Sequence, residues 1–163
     1  MKSKYLLFAG FFFIAGIFSA TPRVLAEAAQ KTYTNPDFHL SFSYPADWNV
    51  TVSTAKPDFI ILLLYHGEPK SAGQEDLRID AYKNSKPGDE NSDPDAHVKS
   101  NAEITLGQVQ WKVFNEPLRP TAKTIPLYYL RKVQNSILYV VSAINETKLN
   151  PVQAQIVSSF RFE

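Results

Sequence analysis

Apolar and polar positions alternate most regularly over residues 33–50 (YTNPDFHLSFSYPADWNV), where Phe38, Leu40, Phe42 and Tyr44 interleave with His39, Ser41 and Ser43. A period of two sends the two sets to opposite sides of a pleated strand, so the segment predicts a half-buried strand. Pro45 ends it, having no ladder donor and biasing Tyr44 toward extended backbone. Trp48 then anchors a second strand over 48–53. Residues 58–65 are apolar almost throughout, too short for a typical helix, and bounded by Pro57 and Gly67. That pattern predicts a central strand covered on both faces.

Further along, 77–82 alternates as a strand and 83–93 (KNSKPGDENSD) is polar enough to predict a surface loop. A helix is expected to open at Asp93, with Pro94 at its first position, Asp95 in its first turn, and Val98 and Ala102 on one face. Residues 104–113 predict a hairpin about Gly107. Residues 127–133 and 137–144 predict another strand pair, turning at 134–136. Asn150 and Pro151 then signal the start of a final helix. Val152, Ile156, Val157 and Phe160 give that helix one apolar face.

Strands, a helix, more strands and a last helix together predict a single α+β domain, an antiparallel β-sheet with helices packed on it. The two-sided apolar run at 58–65 calls for cover on both faces of the sheet. A β-sandwich or a lipocalin-like barrel is the runner-up architecture, disfavoured by the C-terminal helix.

The first residues read differently. Lys2 and Lys4 precede an apolar run of 15 residues, 6–20, and small residues follow. This is the pattern of an export signal over 1–26, with cleavage after Ala26 or, next, Ala28. The run is short for a helix crossing a ~30 Å hydrocarbon core, which makes an uncleaved anchor the minority reading. A polar leader over 27–32 and a domain over 33–163 complete the expected division. Cleavage would take Lys2, Lys4 and Arg23 from the 17 basic residues, leaving 14 against 16 acidic ones and a net charge of −2. That balance argues against nucleic acid, which needs a basic footprint. The chain has no cysteine, which excludes a lipid-modified N-terminus, disulfides and thiol chemistry. The expected location is periplasmic or secreted, without stable membrane insertion after cleavage.

Candidate chemistry is sparse. The chain has three histidines, His39, His66 and His97. His39 alternates away from the apolar set toward solvent or a groove. Asp93 and His97 would share a helix face, but two ligands fall short of a metal site, and helix capping explains Asp93 as well. No Gly-x-Ser-x-Gly elbow and no Gly-rich phosphate loop occur. Glu75-Asp76 and Asp89-Glu90 fall in polar segments, where solvated charge is the simpler reading. Nothing implies a cofactor or catalysis. Trp48 and Trp111 read as core. Tyr128 and Tyr129 must point to opposite faces, which would expose one of them, and Arg131 and Lys132 place basic groups near both. An exposed tyrosine beside arginine suits a protein-binding surface, although the polar face of an edge strand would look the same. Lys86 and Asp89 project from the polar loop. The candidate binding residues are therefore His39, Tyr128, Tyr129, Arg131, Lys86 and Asp89. Residues 49–51 and 145–147 match the glycosylation sequon, which matters only in a eukaryotic source.

The opening phrase, with Pro45 and Trp48 in a Pro-x-x-Trp pattern, and the closing Ser159-Phe160-Arg161-Phe162 resemble PsbP-like domains. The resemblance covers roughly 33–162. It implies the Mog1/PsbP fold, an α/β/α sandwich, and a role in binding rather than catalysis. PsbP relatives support photosystem II, and elsewhere the fold serves in adaptors and envelope proteins. Metal ions have been linked with some members, but no motif here carries such ligands over. The expectation is an exported, non-enzymatic interaction or assembly module with a protein partner in the envelope. The alternative is a small-ligand (lipid or metabolite) carrier with a Phe- and Tyr-lined pocket between sheet and helices. A hydrolase using His39 stands third.

Overall fold

Among the described residues, two antiparallel sheets share one apolar interior, beside a separate two-stranded ribbon. The structure, a computed structural model, describes residues 29–68, 73–93, 98–100, 102–117, 126–144 and 146–163. The expected export signal over 1–26 lies outside them. Strands β1 (Gln30–Asn35) and β2 (Leu40–Pro45) form a hairpin joined by a 3-10 turn at Pro36–Phe38. Strands β3 (Trp48–Ala55), β4 (Phe59–His66) and β5 (Leu77–Lys83) follow. After two short strands, β6 (Ser92–Asp93) and β7 (Val98–Lys99), come β8 (Ala102–Leu106), β9 (Val109–Pro117), β10 (Pro126–Gln134) and β11 (Ile137–Ile144). Helix α1 (Pro151–Ser158) and strand β12 (Arg161–Phe162) close the described chain. The large sheet runs β3-β4-β5-β11-β10-β9-β8, the small one β1-β2-β12, and β6 pairs only with β7. With one α-helix among the described residues, the architecture is α+β and dominated by antiparallel pairing.

The inner face of the large sheet carries Leu62, Leu64, Leu77, Ile79, Trp111, Leu130, Tyr139 and Val141, all buried. Against it pack Phe38, Leu40 and Phe42 of the hairpin, Ile156 and Val157 of α1, and Phe160, forming one continuous cluster. The expected both-sided burial of the 58–65 run is observed. Leu62 and Leu64 are buried on the inner side and Leu63 and Tyr65 on the other.

Three expectations need correction. Phe38 and His39 do not continue the first strand. Asn35 accepts a hydrogen bond from the Phe38 amide, and His39 turns left-handed at φ 47°. The alternating pattern ran through a turn because Phe38 is buried like a strand residue. Part of the leader belongs to the domain as well: Gln30, Lys31 and Thr32 pair with Pro45, Tyr44 and Ser43. An edge strand held by backbone bonds needs no apolar alternation, so its side chains gave no sign. Finally, Asp93, Val98 and Ala102 are not helical. Asp93 pairs with Val98 as strand residues and Ala102 begins β8, while Pro94 and Asp95 lie outside the described residues.

The polar 83–93 segment is likewise more than a loop. Lys83 belongs to β5, and its ammonium sits 4.7 Å from the Phe38 ring centroid. A second 3-10 turn, Asp89–Asn91, lies against β10.

The other turns follow their residue chemistry. Asn135 and Ser136 both have positive φ, the twist-matched geometry of a two-residue hairpin. Asn150 and Gln153 form a reciprocal capping box on α1. Ser159 then clamps the helix end to β2, its Oγ accepting from the Ser43 amide at 2.8 Å. Gly107 turns the β8–β9 hairpin at φ +62°, and a Cβ there would stand 2.0 Å from the Ser158 carbonyl oxygen. Gly107→Ala should therefore cost roughly 2–4 kcal/mol, the sum of left-handed strain and overpacking. Urea unfolding measures this loss, and a change below about 0.5 kcal/mol, typical of neutral surface substitutions, would contradict it.

Candidate functional site

The outer face of the large sheet gathers polar and aromatic groups in two rows. Register aligns Leu63, Arg78, Ser142, Tyr129 and Phe114 across β4, β5, β11, β10 and β9. The next row holds Ile61, Asp80, Val140, Arg131 and Lys112. Arg78 donates its Nε–H to both Asp80 carboxylate oxygens, at 2.8 and 3.0 Å. Asp80 is only 7% exposed. Burial raises its carboxyl above the ordinary value, and the hydrogen bond and charge of Arg78 only partly offset this. For Arg78 the balance reverses. Burial opposes the guanidinium charge, but Asp80 outweighs it and holds the group above its usual value. Tyr82 is pushed up by burial and then by Asp80. Beside this pair the Phe114 and Tyr129 rings stack at 4.9 Å, and the Arg131 guanidinium lies 5.7 Å from the Phe114 centroid.

These groups serve the fold. Ser142 has no histidine in its row, and the Asp80 carboxylate is occupied by Arg78. Glu75 and Asp76, expected to be solvated, also act structurally. Buried Glu75 accepts from the Gly73 amide and Asp76 from the His66 amide. Asp89 closes its turn by accepting from the Lys86 amide at 2.7 Å. The charge in these segments was readable, but the backbone donors that take it up were not.

The structure scatters the sequence-derived candidates. His39 is exposed at the end of the first 3-10 turn. Tyr128 lies in the inner core and Tyr129 on the outer face, and both are buried, so neither is the exposed tyrosine that the alternation predicts. Arg131 is 7% exposed and lies with Tyr129 and Phe114. Lys86 and Asp89 are exposed together on the loop, whose 3-10 turn lies against β10. His66 meets Asp47 at 3.1 Å on the surface. His97 and the Asp93 side chain lie outside the described residues. Among those described, no three His, Cys, Asp or Glu side chains converge on a metal-sized site.

A different place offers unoccupied polar groups. Where β12 stops short of the β9–β10 end of the large sheet, the seam between the sheets opens into a groove of about 390 Å³. Val109, Lys132 and Gln134 line it from the large sheet, and Phe160, Arg161 and Phe162 from the small layer, with Gln108 and Gln110 at the hairpin. The Lys132, Gln108 and Gln134 side chains hydrogen-bond to nothing among the described residues. Arg161 donates only to the neighbouring Phe160 carbonyl. Alternation along β10 carried a trace of this rim. Tyr128 and Leu130 share the inner face with Lys132 and Gln134, so the face turns polar where its cover ends.

No family model and no curated protein matches the chain. Among solved structures, one from Bacteroides thetaiotaomicron VPI-5482 superposes with a TM-score of 0.54 at 12% identity. The match covers 82% of this chain and 48% of that one, so this chain spans about half its length. Such a likeness speaks for the fold alone.

The raised Asp80 carboxyl carries a pH consequence. The folded state binds this proton more tightly than the unfolded chain does. Asp80 therefore contributes stability at pH values below its ordinary pKa and loses that contribution as pH rises through the raised one. Asp80→Asn, which cannot ionise, should gain stability relative to the parent between pH 3 and pH 7, as read by urea unfolding at both pH values. A relative loss would mean that the Arg78 attraction outweighs burial.

Proposed function

We propose that this chain is an exported, non-enzymatic binding module of the PsbP-like type that assembles with a protein partner in the cell envelope. One observation carries the reading. Arg78 and Asp80 on the outer sheet face and Asp89 in its turn are engaged with each other or with backbone, whereas the seam groove gathers Lys132, Gln108 and Gln134, whose side chains bond to nothing among the described residues, and Arg161, which donates only to its neighbour's carbonyl. Groups arranged this way can bind, and they include no nucleophile–base pair for catalysis. The finer α/β/α arrangement of the Mog1/PsbP fold is part of the proposal. It is supported by the burial of Leu63, Tyr65, Phe114 and Tyr129 on the outer face.

A small-ligand carrier is the second reading, favoured by a groove volume within the ~300–1,000 Å³ range of ligand sites. The space between sheet and helix, however, is filled. Phe160 stacks on Phe42 at 5.2 Å and meets Trp111 edge-on at 5.6 Å.

An affinity pull-down from native envelope extract distinguishes the two. The protein from Glu27 onward should carry its tag at the N-terminal side, because Glu163 borders the groove. A stoichiometric protein partner is the expected result. A lane without partner, with a lipid or metabolite found by mass spectrometry, would replace the module with the carrier.

A further inference from the structure

We infer that the seam groove binds an extended, acidic segment of a protein partner laid alongside β12. This deepens the binding-module reading and rests on it.

The backbone supplies the first reason. Among the described residues β12 pairs with β2 on one side only. Antiparallel ladder bonds alternate in direction along a strand. The Glu163 amide donates to the His39 carbonyl at 3.1 Å, so the amide and carbonyl of Phe162, one residue earlier, turn to the free side. Phe162 also lines the groove, where an added strand could take these groups up.

Charge supplies the second. Lys132 stands on the large-sheet wall and Arg161 on the opposite one, and no carboxylate lines the space between them. Both cations are at least partly open to solvent. Glu163, the nearest acidic residue in sequence, is not among the residues that line the groove. Its amide is on His39, and its backbone oxygen accepts from the Asn135 side chain at 3.1 Å. An acidic side chain entering the seam meets a guanidinium fork on one wall and an ammonium on the other.

Amides supply the third. Gln108 and Gln134 each offer donors and an acceptor without partners among the described residues, which matches the donor–acceptor alternation of a peptide backbone. The partly buried Phe162 in the lining offers apolar surface to an aliphatic side chain. Alternate residues of an extended segment point the same way. A segment with carboxylates at every second position therefore presents one row to the cations.

Fluorescence anisotropy tests this with labelled hexapeptides that alternate valine with glutamate, glutamine or lysine. The glutamate peptide should bind saturably and weaken about tenfold between low salt and ~0.5 M NaCl. Lys132→Glu and Arg161→Glu should each weaken it about tenfold, with thermal melts unchanged because both side chains lie at the surface. Lys132→Gln should have a smaller effect of the same sign. Equal binding of the glutamine peptide, no binding of the glutamate peptide, or its displacement by free glucuronate at matching concentration would overturn the inference. If the pull-down captures a partner while the glutamate peptide does not bind, the module reading survives and the acidic-segment inference falls. If both fail, the module reading falls as well.

Discussion

The fold depends on an aromatic seam that joins its two sheets. Phe160 lies between Phe42 of the small sheet and Trp111 of the large one, and Phe162 reaches Trp111 and Tyr139 at 6.2 and 4.5 Å. A chain without cysteine has no covalent link between its layers, so apolar burial has to supply it, at ~25 cal/mol per Å² removed from water. Packing is favoured enough here that the Trp111 indole Nε1 is buried with no hydrogen-bond partner among the described residues. Such an orphan costs about 1–3 kcal/mol. The Tyr139 hydroxyl avoids that cost by donating to the Phe38 carbonyl at 2.8 Å, and burial raises its pKa.

The seam also holds residues 159–162 in place. Ser159 ties the helix terminus to β2, Phe160 enters the core, and β12 joins the small sheet. Four consecutive residues thus finish the helix, fill the interior and extend a sheet. The groove arises from the same constraint. The small layer is only three strands wide against seven, so the inner face of the large sheet becomes polar where its cover runs out. The proposed binding surface is the rim of the core.

Much of the fold was legible in the sequence because short-range chemistry dictates it. The Gly107 hairpin, the turn within 134–136, the Asn150 cap and the two-sided 58–65 strand all rest on conformational preference or on hydrophobic period. The expected helix at Asp93 shows the limit of that logic, since Asp-Pro favours a helix start and also ends strands. The candidate site was legible only in part. Tyr128 and Tyr129 were correctly sent to opposite faces, but whether a face is covered is settled by residues distant in sequence, and both rings are buried.

By itself the sequence determined the strand periodicity, the turn positions, the terminal helix and the absence of thiol chemistry. Each of these depends on a residue and its near neighbours. Only the tertiary structure decided which polar groups remain available for binding. Asp76, Asp80, Asp89 and Glu75 look like solvated charges until folding brings them to a backbone amide or to Arg78. Lys132, Gln134 and Arg161 look unremarkable until strands far apart in the chain place them on the two walls of one seam. Availability is a property of the whole packing, because a polar group is open to a partner only where the rest of the fold has left it unsatisfied.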